Sequence, residues 1–77
     1  MPHVIVKLYP GRSEQQKTRL ADEIVKDVVA IAKCEEGSVS VAIEEIKPED
    51  WPEKVYKADI LNNPLKLYKK PRYNPFK

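Results

Sequence analysis

Scarcity marks this 77-residue chain, which has one cysteine, one histidine, one tryptophan, one phenylalanine, one methionine and two glycines. A lone Cys34 excludes an internal disulfide, and with His3 the only histidine there is no Cys/His cluster to hold a metal. No apolar run approaches the roughly 18 residues of a membrane span. The N-terminus lacks a charged segment followed by a hydrophobic stretch, so export is not expected and a cytoplasmic protein is. A core of this length seldom supplies more than about 3–5 kcal/mol of net stability by itself. With disulfide and metal set aside, self-association is the staple that remains, and a homodimer is expected.

What the chain does have is proline and charge, seven of the first and about a third of all residues in the second. The net charge of +2 conceals a division. Residues 1–61 carry nine basic and twelve acidic side chains, a balance of −3. Residues 62–77 hold Lys66, Lys69, Lys70, Arg72 and Lys77 with no acid, a balance of +5. Such a tail suits nucleic acid or the acidic body of a neighbouring subunit.

Residues His3 to Tyr9 alternate, Val4, Val6 and Leu8 against His3, Ile5, Lys7 and Tyr9, which predicts a β-strand with Pro2 at its start, where no ladder donor is needed. Pro10 and Gly11 break it. Ser13 with Gln16 three residues on reads as a capping box, and Leu20, Ala21, Ile24, Val28, Ile31 and Ala32 form a stripe at helical spacing, predicting a helix from Ser13 to Lys33 with Cys34 on its last turn as a small apolar filler. Val39, Val41 and Ile43 alternate with Ser40, Ala42 and Glu44 in a second strand. Strand, helix and strand predict an α/β (α+β) βαβ subunit with parallel strands. Two strands under one helix are not a stable sheet, so pairing with a second copy, giving four strands covered by two helices, is expected. Lys47 to Pro52 reads as a loop and Glu53 to Ile60 as a short helix or β segment. Pro64, Pro71 and Pro75 argue against regular structure in the tail. The domain is therefore drawn as residues 1–61, with 62–77 as a basic, proline- and aromatic-rich tail packing on the domain or on a partner subunit.

Pro2 follows Met1 directly, and methionine aminopeptidase usually trims Met before a small residue or proline. The mature chain would then begin with a free secondary amine that moves protons as a base. Read this way, Pro2, the strand, the segment Gly11-Arg12-Ser13-Glu14-Gln15-Gln16-Lys17, the capped helix and the second strand resemble the 4-oxalocrotonate tautomerase family over roughly residues 2–60. The resemblance implies a small homo-oligomeric enzyme, an isomerase that interconverts enol and keto forms of 2-oxo acids with no cofactor and no metal. It implies Pro2 as the catalytic base and Arg12 as a binder of the substrate carboxylate. Ser40 stands where many members carry a second arginine in the second strand, and Trp51 falls near an aromatic residue that lines the pocket.

Such a base must be neutral near pH 7, although an ordinary α-amino group titrates near about 7.7–8.0. Apolar burial and a neighbouring Arg12 guanidinium would both favour the neutral amine. With one carboxylate-binding arginine, monoacids with an apolar or aryl end, such as phenylpyruvate-type enols, are expected over dicarboxylates. The expected partners are therefore a small enol or 2-oxo acid and a second copy of the chain, with neither nucleic acid nor membrane. Two alternatives remain open on the sequence: a nucleic-acid module using Lys66, Tyr68, Lys69, Lys70, Arg72, Tyr73 and Phe76, or a structural dimer without activity.

Overall fold

The alternation of Val4, Val6 and Leu8 with His3, Ile5 and Lys7 produces strand β1 (His3–Leu8) in a computed structural model that describes all 77 residues. Helix α1 (Glu14–Ala32) and strand β2 (Ser40–Glu45) follow, with a 3₁₀ turn at Glu36–Ser38 between them. β1 and β2 pair in parallel, His3 opposite Ser40 through Leu8 opposite Glu45, as a helical crossover between neighbouring strands requires. The fold is the α+β βαβ unit expected from the periodicity.

The start of α1 follows from its sequence. Ser13, extended at φ −70° and ψ 162°, accepts the Gln16 amide on its hydroxyl at 3.1 Å, and the Gln16 side chain accepts the Ser13 amide at 2.8 Å. Two amides left orphaned at the helix start are thereby satisfied. Glu14 adds an acid in the first turn, where the helix dipole favours it. Gly11 makes the preceding turn at φ 127°, a conformation that L side chains rarely adopt. At the other end Lys33 takes the left-handed conformation at φ 58° and stops the helix. Cys34 therefore lies beyond α1 rather than on its last turn; its thiol faces the Val28 carbonyl at 3.8 Å.

Parity along the strands places Val4, Val6 and Leu8 on the same sheet face as Val41, Ile43 and Glu45. Helix α1 lies on β2, and Lys17 ties it to Glu45 on this face at 3.5 Å. The helix presents Ala21, Ile24 and Val28 half-buried, and also Val25 and Val29, which lie outside the expected stripe. Ile31, counted in that stripe, is 79% exposed. The reason is width: at 100° per residue the apolar positions from Leu20 and Ile31 round to Val29 span roughly half the helix, more than a two-stranded sheet can cover. No residue between Met1 and Glu45 is fully buried.

The chain divides into two compact units, Met1–Glu45 and Ile46–Lys77. In the second, a 3₁₀ turn occupies Pro48–Asp50 within the expected loop, and Pro52–Leu61 forms a π-helix. The segment expected as either short helix or β structure is thus helical. Its signature bond runs from the Asn62 amide to the Lys57 carbonyl, five residues back. The wide turn suits the sequence, because Trp51, Val55, Tyr56 and Ile60 recur every four to five residues. Val55 and Tyr56, 5% and 7% exposed, are the buried core of this unit. Asn63 closes the helix by donating from its amide to the Ala58 carbonyl at 2.9 Å. In the tail only Pro64–Lys66 is regular, a single 3₁₀ turn, in keeping with its prolines.

The capping box and the Lys33 stop set the helix boundaries, and each has a measurable worth. Ser13→Ala is expected to destabilise the fold by about 1 kcal/mol in urea unfolding. Lys33→Gly, which removes the left-handed penalty of an L side chain, is expected to raise stability by up to about 1 kcal/mol. An unchanged midpoint in both would deny these end residues their role.

Candidate active site

Pro2 is half-buried at the mouth of the parallel pair. Its carbonyl accepts the Ser40 amide at 3.1 Å, which extends the ladder by one step beyond β1. On the adjoining residue, His3 Nδ1 lies 2.6 Å from Ser40 Oγ across the strands. The Met1 ammonium donates to the Ser38 carbonyl. Three residues at the start of the chain are thus each tied to Ser38 or Ser40, and the Pro2 ring is positioned by backbone rather than by a flexible end. His3, which reads from sequence as a surface strand histidine, is exposed and belongs to this cluster through its bond to Ser40.

Arg12 lies elsewhere. It follows the far end of β1, and six residues of strand between Pro2 and Leu8 amount to about 20 Å. One protomer therefore brings Pro2 together with Ser40 but does not bring Arg12 to Pro2, although the sequence reading had set them side by side. The Arg12 guanidinium is exposed and donates from Nη1 to the Tyr9 carbonyl at 3.3 Å. It lines a cleft of about 170 Å³ with Leu8, Gln16, Lys17 and Leu20. This cleft offers two cations, an amide and two leucines at the N-terminal end of α1.

Lys17 is the member of this cleft that the sequence reading missed, and its position three residues after Glu14 was the available signal. Its ammonium contacts Glu14 at 2.9 Å and Glu45 at 3.5 Å. The hydrogen bond that the ammonium donates to Glu14 outweighs desolvation and, with the charges of Glu14 and Glu45, holds the Lys17 ammonium above the ordinary lysine range. With two carboxylates on Lys17, Arg12 is the cation of the cleft that has no acidic partner.

Trp51 lies in the second unit. Its indole Nε1 donates to the Tyr73 hydroxyl at 2.8 Å. Tyr73 in turn stands against Tyr56, ring centroids 5.5 Å apart, and Phe76 meets the same Tyr56 edge-on at 6.0 Å. Trp51 is thus a half-buried member of an aromatic cluster that ties the tail to the π-helix.

These features can be set beside known proteins. A sequence model of the family described as Tautomerase enzyme matches residues 2–53, beginning at Pro2. The chain belongs to the tautomerase family. Among curated relatives, Tautomerase PptA of Cronobacter sakazakii is 39% identical, across 95% of this chain and 97% of the relative. Tautomerase PptA of Escherichia coli is 35% identical, across 96% and 99%. Among solved structures, TomN, a 4-oxalocrotonate tautomerase homologue in the tomaymycin biosynthetic pathway, has a TM-score of 0.63 at 30% identity, over 65% of this chain and 77% of that one. A 4-oxalocrotonate tautomerase isozyme of Methylibium petroleiphilum has a TM-score of 0.61 at 27% identity, over 62% and 75%. The protein is accordingly an isomerase with tautomerase activity, and its βαβ unit is the fold of 4-oxalocrotonate tautomerases.

The Lys17 linkage has a definite sign. A lysine whose ammonium is favoured in the folded state stabilises the protein fully below its unfolded value of about 10.4, and that stabilisation disappears as pH rises through the folded value. Lys17→Met is therefore expected to be less stable than the parent at pH 7–9, with the gap narrowing above pH 11. Thermal melts across that range check it; a gap that does not narrow would remove the ion pair as its cause.

Proposed function

We propose that the protein is a cofactor-independent keto–enol tautomerase acting on enols of small 2-oxo acids, with Pro2, freed by removal of Met1, as general base. The observation that carries the reading is the backbone clamp on Pro2, together with a family match that begins at this residue. While Met1 is attached, the Pro2 nitrogen belongs to a peptide bond and has no basicity. Once freed, its neutral amine accepts the proton of the substrate C2 hydroxyl as that oxygen becomes a carbonyl. The C2–C3 π electrons then take a proton at C3 from the prolinium. Proton and charge balance, and the base is regenerated.

The carboxylate anchor is Arg12, contributed by a second subunit. Its distance from Pro2 within one chain excludes a site made by that chain alone. Each strand of the two-stranded sheet has an open edge. Antiparallel pairing of β1 with β1 of a second copy lays the start of one strand beside the end of the other, so that Pro2 meets the partner's Arg12 twice in a two-fold dimer. The same pairing completes a four-stranded sheet with two helices on one face and covers apolar strand surface that one copy leaves half-exposed. The guanidinium then binds the carboxylate, favours the neutral amine by charge repulsion and steadies the enolate as it forms.

Substrate preference follows from the cleft. Lys17 is occupied by Glu14 and Glu45, which leaves Arg12 to bind one carboxylate, while Leu8 and Leu20 offer apolar walls. Ser40, already engaged by His3, contributes a polar edge and no charge. Monocarboxylates with an apolar or aryl end, of the phenylpyruvate enol type, fit this set, with Trp51 as a further candidate wall. The protein works in the cytoplasm, where Met1 is removed.

Pro2→Ala is expected to lower enol turnover at least about a hundredfold. Mixing Pro2→Ala chains with Arg12→Ala chains tests the shared site. In a mixed dimer one site unites an intact Pro2 with an intact Arg12, so statistical mixing restores about a quarter of parent turnover. No recovery on mixing, with subunit exchange verified by mass spectrometry, would refute the composite site; unchanged turnover in Pro2→Ala would refute the base.

A further inference from the structure

The tail carries two large side chains that nothing covers. Leu65 is 98% exposed and Tyr68 is fully exposed, and Lys66, Lys69 and Lys70 lie among them. The segment is nonetheless held at both ends. On its N-terminal side Asn63 bonds back to the Ala58 carbonyl, and on its C-terminal side Tyr73 is fixed by Trp51 and Tyr56. A loop clamped in this way presents its apolar tips in an order that costs little further entropy on binding. Exposed apolar groups rimmed by charge of one sign mark an interaction surface.

The other half of such a contact is a groove of about 480 Å³ on α1. Val25, Val29 and Ala30 form its floor, with Asp22, Lys26 and Glu36 on its rim. Lys26 is paired with Glu23 at 3.5 Å, so Asp22 and Glu36 leave the rim acidic. This flank of α1 is the one remote from Leu20, which faces Leu8 of β1 across the Arg12 cleft. A sheet dimer formed along β1 therefore leaves the groove open.

We propose that the groove receives the Leu65–Tyr68 segment of a second copy of this chain, with Leu65 or Tyr68 on the Val25, Val29 and Ala30 floor and Lys66, Lys69 and Lys70 against Asp22 and Glu36. Charge favours this occupant. From Asn62 onward the tail holds only basic charged residues, whereas the unit that carries the groove, Met1–Glu45, has eight acidic and six basic side chains. Burial of one leucine-sized side chain stabilises a contact modestly, and a symmetric assembly makes it at every subunit.

Disulfide trapping tests it without reference to turnover, so its failure and the failure of the proposed reaction are separate results. In a Cys34→Ala background, chains carrying Leu65→Cys are mixed with chains carrying Val29→Cys or, at an exposed position, Ala30→Cys. Docking raises the local thiol concentration, so mild oxidation is expected to give about tenfold more two-chain product in the mixture than in either variant alone. Trapping is expected to weaken with salt, to fall on Lys66→Glu with Lys69→Glu, and to return when Asp22→Lys and Glu36→Lys are added to the other chain. No excess product in the mixtures overturns the proposal. So does tail-dependent co-sedimentation with polyuridylic acid or with phosphatidylserine vesicles in the absence of trapping, which would assign the segment to another partner.

Discussion

The hydrogen bond from the Ser40 amide to the Pro2 carbonyl governs more of this protein than its size suggests. It is the first rung of a parallel ladder whose register runs from His3 and Ser40 to Leu8 and Glu45. Because that ladder is parallel and its first strand is six residues long, what is fixed at its start is remote from what is fixed at its end. The proline nitrogen sits at one extremity, and the Gly11-Arg12-Ser13 turn that launches α1 sits at the other. A 19-residue helix is needed to return the chain to the start of β2, so no local rearrangement shortens the separation. Any chemistry that uses both ends is forced across a subunit boundary.

The same economy explains the unfinished core. The apolar sector of α1 is about half its circumference, while the sheet beneath it has two strands, each occupying roughly 4.8 Å of width. Ala21, Ile24 and Val28 are half-covered; Leu20 and Ile31 on one flank remain exposed. Apolar groups left in water at these positions are a cost in the isolated protomer and a driving force for association. In the proposed β1-paired dimer, assembly and site formation would be coupled, since the contact that covers β1 would also bring the partner's Arg12 to Pro2.

The elements with strong local signals were legible in the sequence. Alternating valines gave the strands, and Ser13 with Gln16 gave the start of α1 to the residue, because a capping box is satisfied by side chains three positions apart and needs no tertiary context. The π-helix was not, since its four-to-five-residue recurrence at Trp51, Val55, Tyr56 and Ile60 matches neither the helical nor the strand period used to read a sequence. Arg12 and Pro2 were expected side by side, yet one protomer holds them at opposite ends of β1, because a resemblance names residues without saying how far apart one chain places them. The place of Lys17 in the cleft was not legible, because its second partner, Glu45, is distant in sequence and meets it only through the crossover.

The acidic and basic halves of the chain acquire a physical meaning once the tail is seen to be ordered. Trp51 and Tyr73 share a hydrogen bond, and Tyr56 packs against both Tyr73 and Phe76, so the last residues spend their aromatic surface on the π-helix. That leaves Leu65 and Tyr68 as the apolar groups of the tail with nothing to pack on. A tail meant only to keep the protein soluble would hold its lysines and discard these two side chains. Retaining them between two fixed anchors, with no acid among the lysines to satisfy the charge from within, makes sense for a segment whose counterpart lies on another molecule.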